Sequence, residues 1–435
     1  MDNWLSHISV DDDPNYYAKN LKHALITSSR PSRFSVGTGS QIMSSVLSQC
    51  VGANHEIVIV TCFWARSKSQ QDVAKLLRHL SEKAQSRAND RKIRVRLCFS
   101  STSIFQKAFQ TANVDGKDYP PATWNSIGLP APEEIPGVEL VIKSVFVRPF
   151  SVMHPKFIIV DRKRVFLPSC NVSWEDWFEG CIDMEGEIVR RLLDFWIAFW
   201  NRGVKPPTLP DSSYEPTDVD EYSQTIGVKM LSLTDDIQTI LLPSPHHQNP
   251  RFSPFASSVP PATPLNIYLL HTLKSARASS SIYIQTPNLT SRPFIDAIFS
   301  ALQNGVNVQV VTSKRLMILE QLVTAGTTTE LEIWKLRRRY SKLSTRTDPE
   351  AGLLPVGTLK VGYFKPRTND AGEPVKSHLK CLIVDEEITI LGSGNMDRAS
   401  WYTSQELGVA FVSTEVAKGE NYLPLTSLSQ IRWQV

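Results

Sequence analysis

The chain has 435 residues, 47 basic and 43 acidic, for a formal charge of +4, with six cysteines. That length exceeds one ordinary core and suits two domains or a pair of pseudo-symmetric lobes. The near-balanced charge singles out no polyanionic partner, and no apolar run approaches the ~18 residues of a membrane span. Cys50, Cys62, Cys98, Cys170, Cys181 and Cys381 never stand as CxxC, which favours buried free thiols in a reducing compartment over disulfides or zinc. The opening MDNWLSHISVDDDPNYY has acidic residues where a signal peptide needs an apolar core. A soluble, cytoplasmic protein is expected, one still able to touch a membrane surface.

A loose N-terminus is expected to about residue 35. A helix from about Ser40 and a strand over Ile57 to Phe63 follow; Gly37, Thr38 and Gly39, without a P-loop lysine, suit a helix N-cap better than a phosphate cradle. Val73, Leu76, Leu77 and Leu80 predict an amphipathic helix over Gln70 to Ala88, followed by a strand from Lys92 to Phe99 with Arg94 and Arg96 on a solvated face. A Pro- and Gly-containing loop, Tyr119 to Gly137, leads to a strand from Val138 to Val147. Then comes MHPKFIIVDRKRVFLPSCNVSWEDWFEG, and after it a helix from Glu185 to Trp200 with one broad apolar face.

The Pro/Ser/Asp-rich stretch 206–222 reads as a connector, dividing a first lobe, 1–205, from a second, 223–435. The loop from Pro243 to Pro264 holds His246 and His247, adjacent histidines without a spaced partner and so a poor metal site. In the second lobe helices over Pro264 to Ala278 and Pro293 to Gln303 alternate with strands over Ser281 to Thr286 and Asn307 to Thr312, a pattern of parallel α/β units. The helix from Thr328 to Leu343 carries Lys335, Arg337, Arg338, Arg339 and Lys342. A solvated basic face is preferred for it over contact with anionic lipid or a nucleic-acid backbone. A strand from Leu359 to Phe364 precedes KSHLKCLIVDEEITILGSGNMDRASWYTSQE, Lys376 to Glu406.

These last residues repeat the earlier motif. His378, Lys380, Asp385, Ser393 and Asn395 stand at the mutual spacings of His154, Lys156, Asp161, Ser169 and Asn171, with 17 residues from each His to each Asn. Each copy reads as an apolar hairpin with polar residues at its ends.

The duplicated HxK(x)4D, with S-x-N eight residues beyond the Asp, resembles the phospholipase D (HKD) superfamily across both lobes. The phospholipase D and cardiolipin-synthase-like branch fits better than the tyrosyl-DNA phosphodiesterase branch, whose motif lacks the Asp present here at 161 and 385. The resemblance implies two pseudo-symmetric α/β lobes, each a mixed central sheet flanked by helices, with the active site at the lobe interface. It also implies that His154 forms a covalent phosphohistidine while His378 serves as acid and then base.

The residue types suit that chemistry. A phosphodiester is anionic with a poor leaving group, so attack needs an uncharged nucleophile and an acid for the departing oxygen, roles two histidines can divide. Lys156, Lys380, Asn171 and Asn395 are donors for the phosphoryl oxygens. The catalytic set is His154, Lys156, Asp161, His378, Lys380 and Asp385, the two aspartates supporting the site from turns without touching substrate. Ser169, Asn171, Glu179, Ser393, Asn395 and Glu406 bind phosphate or orient; Glu406 matches the family's orienting carboxylate, and Glu179 follows from aligning EGCIDM with ELGVAF. No cofactor or metal is implied. The expected substrate is a phospholipid, with peripheral membrane contact, favoured by Trp174, Trp177, Phe178, Trp401 and Tyr402 near the motifs; a nuclease acting on DNA or RNA is the alternative, and a non-catalytic binding protein is disfavoured by the intact histidines. With both motifs in one chain, a monomer suffices.

Overall fold

The computed structural model describes residues 2–8, 22–87, 91–102, 116–147, 151–210, 227–244, 259–345, 355–366, 373–422 and 431–434. They form two compact units, Ser28–Asp236 and a second made of Met1–Thr27 with Ile237–Val435. Most of the expected connector (211–222), and His246 and His247, lie outside the described residues.

In the first unit the apolar runs Glu56–Val60, Ile93–Phe99 and Val138–Ser144 pair as parallel strands. Phe157–Val160 joins Glu56–Val60 antiparallel and continues through Arg164–Pro168 to Trp177–Glu185 and then Ile26–Thr38. The helices Gly39–Cys50 and Lys68–Gln85 bury Ile42, Val46, Leu77 and Leu80 in a core shared with Ile59, Val95 and Phe166. The first helix is closed by a capping box, with Thr38 Oγ1 accepting from Gln41 N and Gln41 Oε1 accepting from Thr38 N, as the N-cap reading expects.

The second unit repeats this order strand for strand. Ser281–Gln285, Asn307–Thr312 and Leu359–Phe364 are parallel. Cys381–Val384 joins Ser281–Gln285 antiparallel and leads through Ile388–Gly392 to Glu406–Val412 and Ile237–Ser244. The helices Pro264–Ser275 and Arg292–Gln303 pack on it, and Thr329–Ser344 contributes Ile333 and Leu336 to the core. Continuous apolar strands such as EIVIV, FIIV and CLIV are what a sheet buried on both faces requires. The architecture is thus α/β with mixed sheets, as the sequence pattern predicts.

Two boundaries differ from expectation. The N-terminus is not loose to residue 35: Ile26–Thr38 is a strand, and Trp4, Leu5, Ile8 and Leu25 are buried in the second unit's core, with Trp4 edge-on to Tyr268 at 5.0 Å. The strand 227–230 in turn pairs with Ile26–Thr38 and belongs to the first unit, so that unit ends at Asp236 and not near 205. Arg94 and Arg96 are not merely solvated either: they pair with Glu56 at 3.4 Å and Glu139 at 2.5 Å.

Candidate active site

Both motif hairpins close through a three-residue turn, 161–163 and 385–387, whose first two residues have positive φ, Asp161 (48°) and Arg162 (56°) in one, Asp385 (52°) and Glu386 (55°) in the other. Such turns match the right-handed twist of the strands, and Asp tolerates the left-handed region better than most residues. Each aspartate then ties its turn to the start of the neighbouring strand. Asp161 accepts from the backbone N–H groups of Asn54, His55 and Glu56 at 2.7–2.8 Å, and Asp385 from Ser281 N at 2.7 Å and Ser280 Oγ at 2.8 Å. Counted with the catalytic residues from the motif alone, both are hairpin anchors by geometry.

At the other end of the hairpins lie the histidines and lysines. Lys156 and Lys380 are each 2% exposed. Lys156 Nζ donates to His154 O at 2.9 Å, and Lys380 Nζ to His378 O at 2.6 Å. In the second unit the ammonium also abuts the imidazole, 3.0 Å from Nδ1 and 2.9 Å from Nε2. Burying an ammonium is costly without an anion nearby, and a phosphodiester held by imidazole and ammonium together would supply one. His378 is buried and His154 half-buried.

The serines and glutamates form a matching pair of contacts. Ser169 Oγ donates to Glu179 Oε2 at 2.5 Å and accepts from Gly180 N at 2.9 Å; Ser393 Oγ donates to Glu406 Oε2 at 2.5 Å and accepts from Leu407 N at 3.0 Å. Glu179 is therefore the geometric counterpart of Glu406, although it follows its motif more closely. The second unit uses its extra residues for the short helix Arg398–Tyr402.

Asn171 Oδ1 accepts from Phe63 N at 3.3 Å, and its NH2 group is a donor. Asn395 gives one N–H to Asp397 at 2.9 Å and keeps the other. Burial pushes the Asp397 carboxyl up from its ordinary value, while the Ser400 N–H and the Asn395 amide pull it back. Burial, reinforced by Glu179, pushes the Cys170 thiol far up from its ordinary value.

Four further residues, which no sequence pattern singled out, hold these groups in place. Ser100 Oγ accepts from Met153 N at 3.0 Å and Ser313 Oγ from Ser377 N at 2.9 Å, so each fixes the backbone just before a motif histidine. Thr61 Oγ1 accepts from Val172 N at 3.4 Å and Thr286 Oγ1 from Met396 N at 3.1 Å, fixing the residue after each motif asparagine. The available signal is positional: each is a hydroxyl residue directly after an apolar strand, at the same place in both units.

The expected aromatic neighbours divide. Phe178, Trp401 and Tyr402 are core, at most 2% exposed, because they lie on a strand and a helix whose faces turn inward. Trp174 is 43% exposed and stacks between Phe63 (4.6 Å) and Trp177 (5.4 Å).

Residues 269–421 match the family described as "Cardiolipin synthase, PLD-like domain". No curated protein matches the sequence. Among solved structures, phosphatidylserine synthase from Haemophilus influenzae aligns over 94% of this chain and 89% of its own, with 14% identity and a TM-score of 0.56. A phospholipase D family member, Nuc from Salmonella typhimurium, aligns over 45% of this chain and 97% of its own, with 17% identity and a TM-score of 0.29. Residues 269–421 are thus similar to a PLD-like domain, and the chain shares its fold with the phosphatidylserine synthase structure.

Proposed function

We propose that the protein is a phosphatidyl-transferring phosphodiesterase that acts on phospholipid by double displacement. A ring nitrogen of His154 attacks phosphorus, the P–O bond to the leaving headgroup breaks, and His378 gives that oxygen its proton. Water or an alcohol then attacks the phosphohistidine, passes its proton to His378, and the P–N bond breaks to restore both histidines. Lys156, Lys380, Asn171 and Asn395 donate to the phosphoryl oxygens, where charge concentrates in the transition state. With two ammonium groups in that role, the reaction is expected to survive chelation by EDTA.

The observation that carries this reading is the equivalence of the two half-sites, each a complete set of histidine, lysine, asparagine and serine-bound glutamate. A half-site that had lost its function would have no need to keep a buried lysine and a buried Ser–Glu pair. The choice of phospholipid is supported by the cardiolipin synthase description of the matched family and by the phosphatidylserine synthase fold neighbour. The test is headgroup release from phospholipid, with transfer to added ethanol. Cleavage of single-stranded oligonucleotides without lipid turnover sinks the lipid reading in favour of a nuclease.

A further inference from the structure

The segment between the strands Asn307–Thr312 and Leu359–Phe364 holds two helices, Ile318–Ala325 and Thr329–Ser344, whose outer faces are apolar where a soluble surface is normally polar. Leu319 is 79% exposed and Trp334 55%, with Leu322, Val323 and Leu331 at 43–49%. Leu319, Leu322 and Val323 share one face of the first helix, and Leu331, Trp334 and Arg338 one face of the second, at i, i+3, i+4 and i, i+3, i+7 spacings. Residues 313–345 contain seven basic and three acidic side chains, so this segment alone carries as much net charge as the whole chain, +4. Lys314, Arg315, Lys335, Arg338 and Lys342 are exposed, and the Arg338 guanidinium lies 5.4 Å over the Trp334 ring.

The helices are fixed, not loosely hung. Gln321 is 3% exposed; its side chain donates to Leu316 O at 2.6 Å and accepts from Thr329 N at 2.7 Å, stitching one helix to the next. Arg315 N donates to Glu330 at 2.7 Å, and Arg339 pairs with Asp296 at 2.7 Å. The segment also begins at the second half-site. Ser313 holds Ser377, the residue before His378, and Lys376 Nζ donates to Arg315 O at 3.0 Å. Thr329 Oγ1 accepts from Leu289 N, and Leu289 bridges to Met396, next to Asn395.

We infer that these two helices are a docking surface for an anionic phospholipid bilayer, placing the His378 half-site at the lipid. Leu319, Leu322, Val323, Leu331 and Trp334 enter the headgroup and upper acyl region, and the surrounding Lys and Arg side chains meet the anionic headgroups. A nucleic-acid backbone would take up the charge but leave the aliphatic face in water. The surface rests on the phospholipid reading only for its purpose; its chemistry is independent of turnover.

The test is co-sedimentation of the full chain with vesicles of phosphatidylcholine, alone or with phosphatidylglycerol, at low and high salt. The expected result is binding to the phosphatidylglycerol vesicles that weakens with salt. Leu319→Ser with Trp334→Ser should reduce it by about tenfold or more, and Arg338→Glu with Lys342→Glu likewise, since each basic residue near the surface contributes about fivefold. All four positions are exposed, so circular dichroism and thermal unfolding of the variants should match the unmodified protein. Both pairs should keep full activity on a short-chain phospholipid below its micellar concentration. Short-chain turnover by the unmodified protein without vesicle binding, or binding unchanged in both pairs, overturns the docking surface while leaving the catalytic reading intact. Vesicle binding lost in both pairs, but with no turnover of any phospholipid, upholds the surface and sinks the catalytic reading. A dimer that Leu319→Ser with Trp334→Ser dissociates, or an oligonucleotide bound through the same four residues in place of vesicles, overturns the inference in favour of a second copy or a nucleic acid.

Discussion

Ser169 donates to the buried carboxylate of Glu179 at 2.5 Å, and its oxygen takes the N–H of the next residue, Gly180. Ser393 treats Glu406 and Leu407 the same way, although the two glutamates lie at different distances along the chain from their motifs. The two motif clusters are thus equivalent in contacts as well as in sequence. Replacing Glu406 by Gln keeps an acceptor for Ser393 and removes the charge, so turnover should fall by at least about tenfold with the unfolding midpoint nearly unchanged. Glu179→Gln should behave alike. Ser393→Ala, which leaves a buried carboxylate and an N–H short of a partner, should instead lower stability by about 1–3 kcal/mol in denaturant titration.

Asp161 is a structural residue in this account. Its loss orphans three backbone N–H groups at the edge of a buried strand, so Asp161→Ala should destabilise the first unit by about 3 kcal/mol or more. Asp385 is exposed and accepts from one backbone N–H and one hydroxyl, and its replacement should cost less. In both variants the kcat of the protein that remains folded should stay within a few-fold of the unmodified enzyme. A selective collapse of kcat in stably folded Asp161→Ala would return the aspartate to the chemistry.

Ser100 and Ser313 act through the backbone before each histidine and are positioning residues. Ser313→Ala should lower kcat more than it raises KM, and Ser313→Thr, which restores the hydroxyl, should recover most of the loss. Equal loss in both variants would point to a packing defect.

All six cysteines are buried. Burial pushes the Cys98 thiol up to about 12, with the Trp196 hydrogen bond pulling it back only in part, and pushes Cys50 and Cys181 up as well. Native protein at pH 8 should therefore resist alkylation by iodoacetamide, and all six thiols should react once it is unfolded. The linkage has a definite sign. The folded thiols keep protons that the unfolded chain releases above about pH 8.5, so stability should fall as pH rises beyond that value.

Much of this was legible in the sequence. The apolar runs that form the central strands and both hairpins are set by local pattern, because two buried strands joined by a three-residue turn leave little freedom to the polar residues at their ends. The strand Ile26–Thr38 was not legible: ITSSRPSRFSVGT has no period of two, and Pro31 stands at a shift of register. Nor were Ser100, Ser313, Thr61 and Thr286, whose partners lie 53 to 111 residues away. Phe178, Trp401 and Tyr402 follow their motifs closely in sequence, but the orientation of a strand or helix decides which face a ring takes, and theirs is the core. The basic helix shows the converse. Its charges were plain, whereas the exposure of Leu331 and Trp334 depends on which side of the helix the sheet occupies.

The central claim is that His154 carries the phosphatidyl group between donor and acceptor while His378 moves the proton. Its most direct test is to quench the enzyme with labelled phospholipid in turnover and map the adduct by mass spectrometry. The account predicts an acid-labile, base-stable phosphoryl group on His154, absent in His154→Ala and accumulating in His378→Ala. A label on His378, or turnover with no protein-bound label even in His378→Ala, would contradict it.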